Sequence, residues 1–277
     1  MTDNPMSLVE AVVLGIVQGL SEFLPISSSA HLRVVPALAG WGDPGAAYSA
    51  VIQLGSVLAV LTYFRNDIAR ISLGAFKALK EKNYSDQDFR IAGAIAVGTL
   101  PICILGLLLK KTIENPNGPF RSLLVIGVAS IVMGCLLLLA EKMAKHTRGI
   151  ETISGRDGFL VGLGQAMALI PGCSRSGSTL TVAMFLNLKR EDAARFSFLL
   201  GIPAIVLSGL LELKDMMAAG LNNTATTDLV VGLLVSTVVS YAAIAWFLKY
   251  LRNHSTLVFV AYRIIFGITV ICMALKH

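Results

Sequence analysis

SLLVIGVASIVMGCLLLLA, residues 122–140, contains no charged side chain and no proline. As a helix rising 1.5 Å per residue it is about 28 Å long. That is close to the roughly 30 Å of hydrocarbon in a bilayer. Five further stretches of similar length, 46–64, 91–109, 196–213, 229–248 and 255–275, are nearly free of charge. Over the whole chain 55% of residues are hydrophobic, and mean hydropathy is +0.73. Only 14% are charged, against about 25% in a soluble domain, too few to cover a water-facing surface. A soluble enzyme, a disordered chain and a nucleic-acid-binding domain are excluded. A β-barrel is excluded too, because its strands alternate over about ten residues.

The net charge of +6 reads first as topology. Fifteen Lys and Arg fall in 65–90, 141–157, 189–195 and at Lys249 and Arg252, between the apolar blocks. Only six, Arg33, Lys110, Lys111, Arg121, Lys214 and Lys276, fall on the other side. The positive-inside rule assigns the first set to the cytoplasm, and both termini then face outward. Arg175 and Arg263 are left at membrane depth. Residues 1–10 carry no basic region before the first apolar run, unlike a cleaved signal peptide. Cys103, Cys135, Cys173 and Cys272 form no CxxC pair and read as buried free thiols.

Two segments do not fit as simple spans. Residues 8–35 are interrupted by Gln18, Glu22, Pro25 and three serines, and 158–188 by Pro171, Gly172 and a Ser/Arg cluster. A plain crossing at 8–35 alone inverts the charge count, so each reads as a re-entrant loop. Irregular backbone at membrane depth needs protein or a water-filled cavity around it. The loops also resemble each other. Gly15 and Gln18 match Gly162 and Gln165 at an offset of 147, as Ala46-Ala47 match Ala193-Ala194. Pro25 and Pro171 match at 146, with one gap. The fold expected is all-α: six transmembrane helices plus two re-entrant helical loops arranged as an inverted repeat. It is one membrane domain over 1–277, with repeats at about 7–140 and 155–275.

The first loop carries QGLSEFLPISSSAH (18–31). Gln18 and Glu22 share a helix face, and Pro25 ends that helix. Ser27 or Ser28 can cap a second helix whose first turns carry Ser29 and His31. Its free N–H groups suit an anion. A carboxylate with no Lys or Arg within ten positions, in an apolar segment, is a functional candidate. The second loop carries PGCSRSGST (171–179), where Ser174, Ser176 and Thr179 offer hydroxyls and Arg175 can grip two oxygens. Cys173 lacks the arginine six positions on that cysteine phosphatases need, since Thr179 stands there. Gln53 and Gln165 either line the cavity or hydrogen-bond between helices. Arg263 either faces the cavity or snorkels. A carboxylate, a nucleophile and a phosphate clamp in a membrane cavity point to hydrolysis of a lipid phosphoester or pyrophosphate. Three attackers remain open: Ser28, His31 or a metal-activated water.

GLSEFLPISSSAH and PGCSRSGST, with VIQLGSVLAV (51–60) between them, resemble the undecaprenyl-diphosphatase family of the bacitracin-resistance type over essentially the whole chain. The resemblance implies removal of the terminal phosphate of undecaprenyl diphosphate at the periplasmic face of the bacterial inner membrane. The lipid carrier then returns to peptidoglycan synthesis. It implies functional positions at Gln18, Glu22, Ser28, His31, Ser174, Arg175 and Thr179. It also implies a divalent cation, Mg²⁺ or Ca²⁺, with Glu22 as metal ligand or base. Gln18 stands where some members have Glu, which weakens any scheme with two carboxylates on one metal. Ala30 stands where several have Gly, so that position is helical. The partners expected are the polyprenyl diphosphate, membrane lipids and, at most, a second copy in a homodimer; nucleic acid is not. The alternative is a secondary transporter or lipid flippase with the same inverted repeat. A type 2 phosphatidic-acid phosphatase needs a histidine downstream of the Ser-Arg motif, and only the distant His254 and His277 follow.

Overall fold

The computed structural model describes residues 6–42, 44–114, 118, 122–219 and 223–275. Among them lie eleven α-helices. The chain enters through α1 (Leu8–Phe23) and α2 (Ser28–Ala39), then α3 (Gly45–Tyr63) and α4 (Arg65–Glu81). It continues through α5 (Gln87–Glu114), α6 (Leu123–Met143), α7 (Gly155–Ala166) and α8 (Arg175–Phe185). It ends with α9 (Arg190–Ala219), α10 (Asn223–Asn253) and α11 (Leu257–Ala274). The six apolar blocks are α3, α5, α6, α9, α10 and α11. Five of these are long and apolar enough to cross a membrane, and α3 meets that test only together with α4, across a 73° bend. The protein is a multi-pass membrane protein.

The two interrupted segments are helix–turn–helix units. Ser7 opens α1 in a capping box with Glu10, and Ser154 opens α7 in one with Asp157. The turn before α2 puts Ser27 at φ 78°, and the turn before α8 puts Ser174 at φ 68°. Both pairs are 147 apart, so the proline match at 146 and its gap are not needed. The local cause is common to both. A helix must stop and restart within a few residues, and a left-handed residue turns the chain sharply enough.

Small residues bring the helices together, as packing between membrane helices favours. A Cβ on Gly15 of α1 would lie 2.7 Å from the Gly232 carbonyl of α10. On Gly162 of α7 it would overlap the Gly98 carbonyl of α5. On α6 and α11, Gly127 and Gly267 each face the other's carbonyl, at 2.8 and 2.7 Å. Thus α1 packs along α10, α7 along α5 and α6 along α11.

The basic segments assigned to one side meet at one end of the bundle. Arg70 pairs with Asp88 at 3.0 Å, Arg195 with Asp67 at 2.9 Å and Arg252 with Glu191 at 2.9 Å. Arg190 pairs with Glu141, and Arg90 donates to the Glu151 carbonyl. Arg148 grips Asp157 at 2.8 Å. Burial pushes the Asp157 carboxyl up, but Arg148 and Ser154 outweigh it and hold it below its ordinary value. From this end an aromatic core runs inward through Phe259, Phe247 and Phe198 to Phe23, whose ring meets Phe198 edge-on at 5.0 Å.

All four cysteines are free, as expected, but only Cys173 is buried; Cys103 is half-buried, and Cys135 and Cys272 are exposed. In a chain whose outside is itself apolar, a place in an apolar block does not mean a place in the core.

Candidate active site

The first residue of α2 is Ser28 and the first residue of α8 is Arg175, and both reach Glu22 in the last turn of α1. Ser28 Oγ donates to Glu22 Oε2 at 2.6 Å. Gln18 Nε2, one turn earlier, donates to the same oxygen at 2.9 Å. Arg175 donates from one guanidinium nitrogen to Glu22 Oε1 at 2.9 Å. The carboxylate is therefore held on both oxygens, and only 4% of its side chain is exposed. The two loops identified in the sequence meet at this one group, 153 residues apart along the chain.

Removing a carboxylate and a guanidinium from water costs several kcal/mol apiece, and such a pair holds only with further hydrogen bonds. Here they are supplied for the carboxylate but not fully for the arginine. Arg175 Nη1 is buried and has no partner. It lies in a groove over Gly201 of α9, where any Cβ would overlap it. A buried N–H donor without an acceptor is a place for an anionic oxygen. So are the first amides of α2, which precede its first helical bond, from His31 N to Ser27 O.

Each remaining candidate has a definite position. Ser174 caps α8 through Gly177 N at 3.0 Å, and its hydroxyl is 3.2 Å from that of Ser176. Ser176 donates to the Leu24 carbonyl and so ties α8 to the first turn. Thr179 is fully buried and bonds the Arg175 carbonyl and Ser197 of α9. It fixes the start of α8 and offers no free hydroxyl. Ser27 occupies the cap position of α2 without a capping bond, because its hydroxyl faces that of Ser29 at 3.3 Å. Ala30 is helical, as expected. Gln53 is half-buried on α3 and is not hydrogen-bonded to the Glu22 cluster. Gln165 is buried and reaches the Gly98 carbonyl at 3.5 Å, the interhelical alternative.

His31 does not join Ser28. The sequence left both open as attackers, but the His31 ring turns toward α11. Its Nδ1 meets the Ser27 carbonyl at 2.7 Å, so that nitrogen carries the proton. Its Nε2 then accepts from the Tyr262 hydroxyl at 2.6 Å, and the ring stacks on Phe266 at 4.3 Å. The stacking surface on α11 decides the rotamer.

Arg263 neither faces a cavity nor snorkels. It is 1% exposed and donates to the carbonyls of Pro25, Gly172, Cys173 and Ser130. One guanidinium thus satisfies the broken backbone of both turns. Sequence reasoning also missed Ser56, Ser236 and Ser240. Gln18 Nε2 is 3.4 Å from Ser56 Oγ, which bonds Ser240 at 2.8 Å and Ser236 at 3.2 Å. Isolated serines in apolar helices carry no signal until the helices are paired.

Among the described residues no three His, Cys, Asp or Glu gather as a metal cage. The oxygens that meet are the Glu22 carboxylate and the Ser28 hydroxyl; Gln18 turns its amide nitrogen to Glu22, and its Oε1 is buried without a partner. That hard donor set, with one carboxylate, suits a cation that takes its other ligands from phosphate and water.

The interior of this helical membrane protein thus joins a carboxylate, a serine hydroxyl and a half-satisfied guanidinium. The family model for bacitracin resistance protein BacA matches residues 11–269, and the chain belongs to that family. Among its relatives is an undecaprenyl-diphosphatase of Gloeobacter violaceus, 57% identical over 95% of this chain and 90% of the relative. One from Trichormus variabilis is 54% identical over 96% and 83%. One from Synechococcus sp. strain RCC307 is 52% identical over 98% and 96%.

Proposed function

We propose that this protein hydrolyses undecaprenyl diphosphate to undecaprenyl phosphate and inorganic phosphate, with Ser28 as nucleophile and Glu22 as its base. The observation that carries the reading is the 2.6 Å bond from Ser28 Oγ to Glu22 Oε2. A serine hydroxyl attacks well only when a base takes its proton, and Glu22 is the base in contact. His31 is not, because Ser27 and Tyr262 engage both its ring nitrogens.

In the first step Ser28 Oγ bonds to the terminal phosphorus and its proton passes to Glu22. The bridging P–O bond breaks, and undecaprenyl phosphate leaves with the bridging oxygen. In the second step water attacks the phosphoserine. The Ser28 oxygen leaves with the proton that Glu22 returns to it, and the phosphate, keeping both protons of the water, is released as dihydrogen phosphate. Arg175 Nη1 and the opening amides of α2 hold the phosphate oxygens where negative charge develops. Breaking the Glu22–Arg175 contact as the diphosphate enters frees the guanidinium for the substrate. A divalent cation held by Glu22 and Gln18 Oε1 would neutralise phosphate charge.

The architecture proposed is six crossings with two re-entrant loops in inverted halves. It is supported by the matched capping boxes and left-handed serines, by the matching packings of α1 on α10 and α7 on α5, and by the reciprocal approach of Gly127 and Gly267. The arginine-rich end reads as cytoplasmic and the site as open to the periplasm of the inner membrane. There the reaction returns the lipid carrier to peptidoglycan synthesis and opposes bacitracin.

The test is phosphate release from undecaprenyl diphosphate by the purified protein in detergent, with no gradient. Release that chelator abolishes and Mg²⁺ or Ca²⁺ restores is expected. No release would overturn the hydrolase reading in favour of transport, and release indifferent to chelator would remove the cation.

A further inference from the structure

Helix α4 divides into three arcs at 100° per residue. Ile71 and Ala78 are buried against the bundle, with Asp67 and Ile68 half-buried beside them. On a second arc Phe76 is 71% exposed and Leu73 70%, with Leu79 and Ala69 also exposed. Asn66, Arg70, Lys77 and Glu81 form the third. From Arg65 to Lys82 there are five basic and two acidic side chains. A helix in water would not leave that apolar arc uncovered, and one immersed in hydrocarbon would not carry the charged arc.

The bend at Phe64 gives the orientation. Helix α4 leaves α3 at 73°, so if α3 crosses the bilayer, as proposed above, α4 lies close to its plane. Beside α4 an apolar groove of about 260 Å³ is lined by Leu61, Ile68, Ile71, Ile95, Leu199 and Ile202. With Ser72 the one polar side chain in its lining, the groove offers water few polar partners and suits a lipid tail, which places hydrocarbon at the level of α4. On the same wheel Lys80 falls within the apolar arc, between Ala69 and Leu73, and Lys82 ends the helix. Their long stems can reach headgroups from there.

We infer that α4 is an interfacial helix that seats its Leu73–Phe76–Leu79 face in the bilayer and binds anionic phospholipid headgroups through Lys77, Lys80 and Lys82. Charge complementarity fixes the lipid class: the helix is net positive, and a leaflet rich in phosphatidylglycerol or phosphatidylserine is negative. The inference rests on α3 as a crossing helix but not on the hydrolase activity, so its test does not read turnover.

The test uses the full-length protein in vesicles of phosphatidylcholine with phosphatidylglycerol. Cys103, Cys135 and Cys272 are replaced by alanine, and buried Cys173 stays. Spin labels go singly at 66, 73, 76, 77, 79 and 81. Collisions with oxygen should exceed those with a water-soluble nickel chelate at 73, 76 and 79, and the reverse should hold at 66, 77 and 81. Nickel access at all six would mean that α4 stands off the membrane, and oxygen access at all six that it is immersed; either overturns the inference. In the same vesicles spin-labelled phosphatidylglycerol should be preferred over phosphatidylcholine. Replacing Lys77, Lys80 and Lys82 by glutamine should lower that preference at least about twofold. An unchanged preference would remove the anionic lipid from the inference.

Discussion

The α1–α2 turn and the α7–α8 turn share a backbone and differ in chemistry. Each is entered from a capped helix, turns at a left-handed serine and restarts a helix one residue later. The residue at that restart is Ser28 in one and Arg175 in the other, and both address Glu22. A common scaffold thus aims two unlike groups at one carboxylate. The first turn holds the acid and the hydroxyl, and the second the cation that balances them. On the mechanism proposed above, the difference assigns the bond-breaking chemistry to the first turn and the charge complementarity to the second.

That division can be broken most directly at Ser28. Ser28→Ala should lower kcat about a thousandfold or more, the scale of a lost activated nucleophile. Rapid quenching of wild type should trap an acid-stable phosphoester on Ser28. Glu22→Gln should be nearly inactive as well. A Ser28→Ala enzyme that turns over well would move the attack to water or His31. The second turn should be less sensitive in kind. Arg175→Lys keeps the charge but loses the fork, so kcat/KM should fall at least about tenfold, one charge-assisted hydrogen bond, with folding retained. A loss as large as that of Ser28→Ala would show that the turns cannot be separated.

His31→Gln sharpens the comparison within the first turn. If the imidazole supports the Ser27 carbonyl and stacks on α11, the variant should lose about tenfold, far less than Ser28→Ala. Acid-labile label on the histidine would reverse that order. The smallest effect expected lies in the caps. Asp157 is held below its ordinary value, with Arg148 and Ser154 outweighing burial. Its stabilisation is therefore present above the unfolded carboxyl value of about 3.9 and lost as pH falls through the folded one. Asp157→Asn should cost about 1 kcal/mol at neutral pH and flatten the acid side of a thermal-unfolding profile. Glu10→Gln in the matching cap, which has no arginine, should change it less. Equal effects would mean that Arg148 adds nothing.

The six apolar blocks and the two interrupted segments were legible because hydrocarbon thickness sets length and because Pro25 and Pro171 stand out in such company. Glu22 and Arg175 were legible for the same reason: a charge at membrane depth needs a purpose. Which way a helix faces was not. Core and lipid are both apolar, so Gln53 was left between cavity and helix contact, His31 stayed open as an attacker, and Cys135 and Cys272 were given to the interior. For His31, and for the serines that went unnoticed, partners far along the chain decided the outcome. Tyr262 lies 231 residues from His31, and the serines that meet Ser56 lie 180 and 184 away.

Arg263 sets a timetable. It donates to the Pro25 carbonyl across 238 residues, and synthesis adds about 5–20 residues per second. The first turn therefore exists for many seconds before its guanidinium is made. During that interval its open carbonyl has no partner in hydrocarbon, where each unsatisfied group costs several kcal/mol. The nascent α1–α2 hairpin must wait near water or against the insertion machinery. Only the arrival of α11 lets both turns settle to depth, so a late helix completes the site that α1 began.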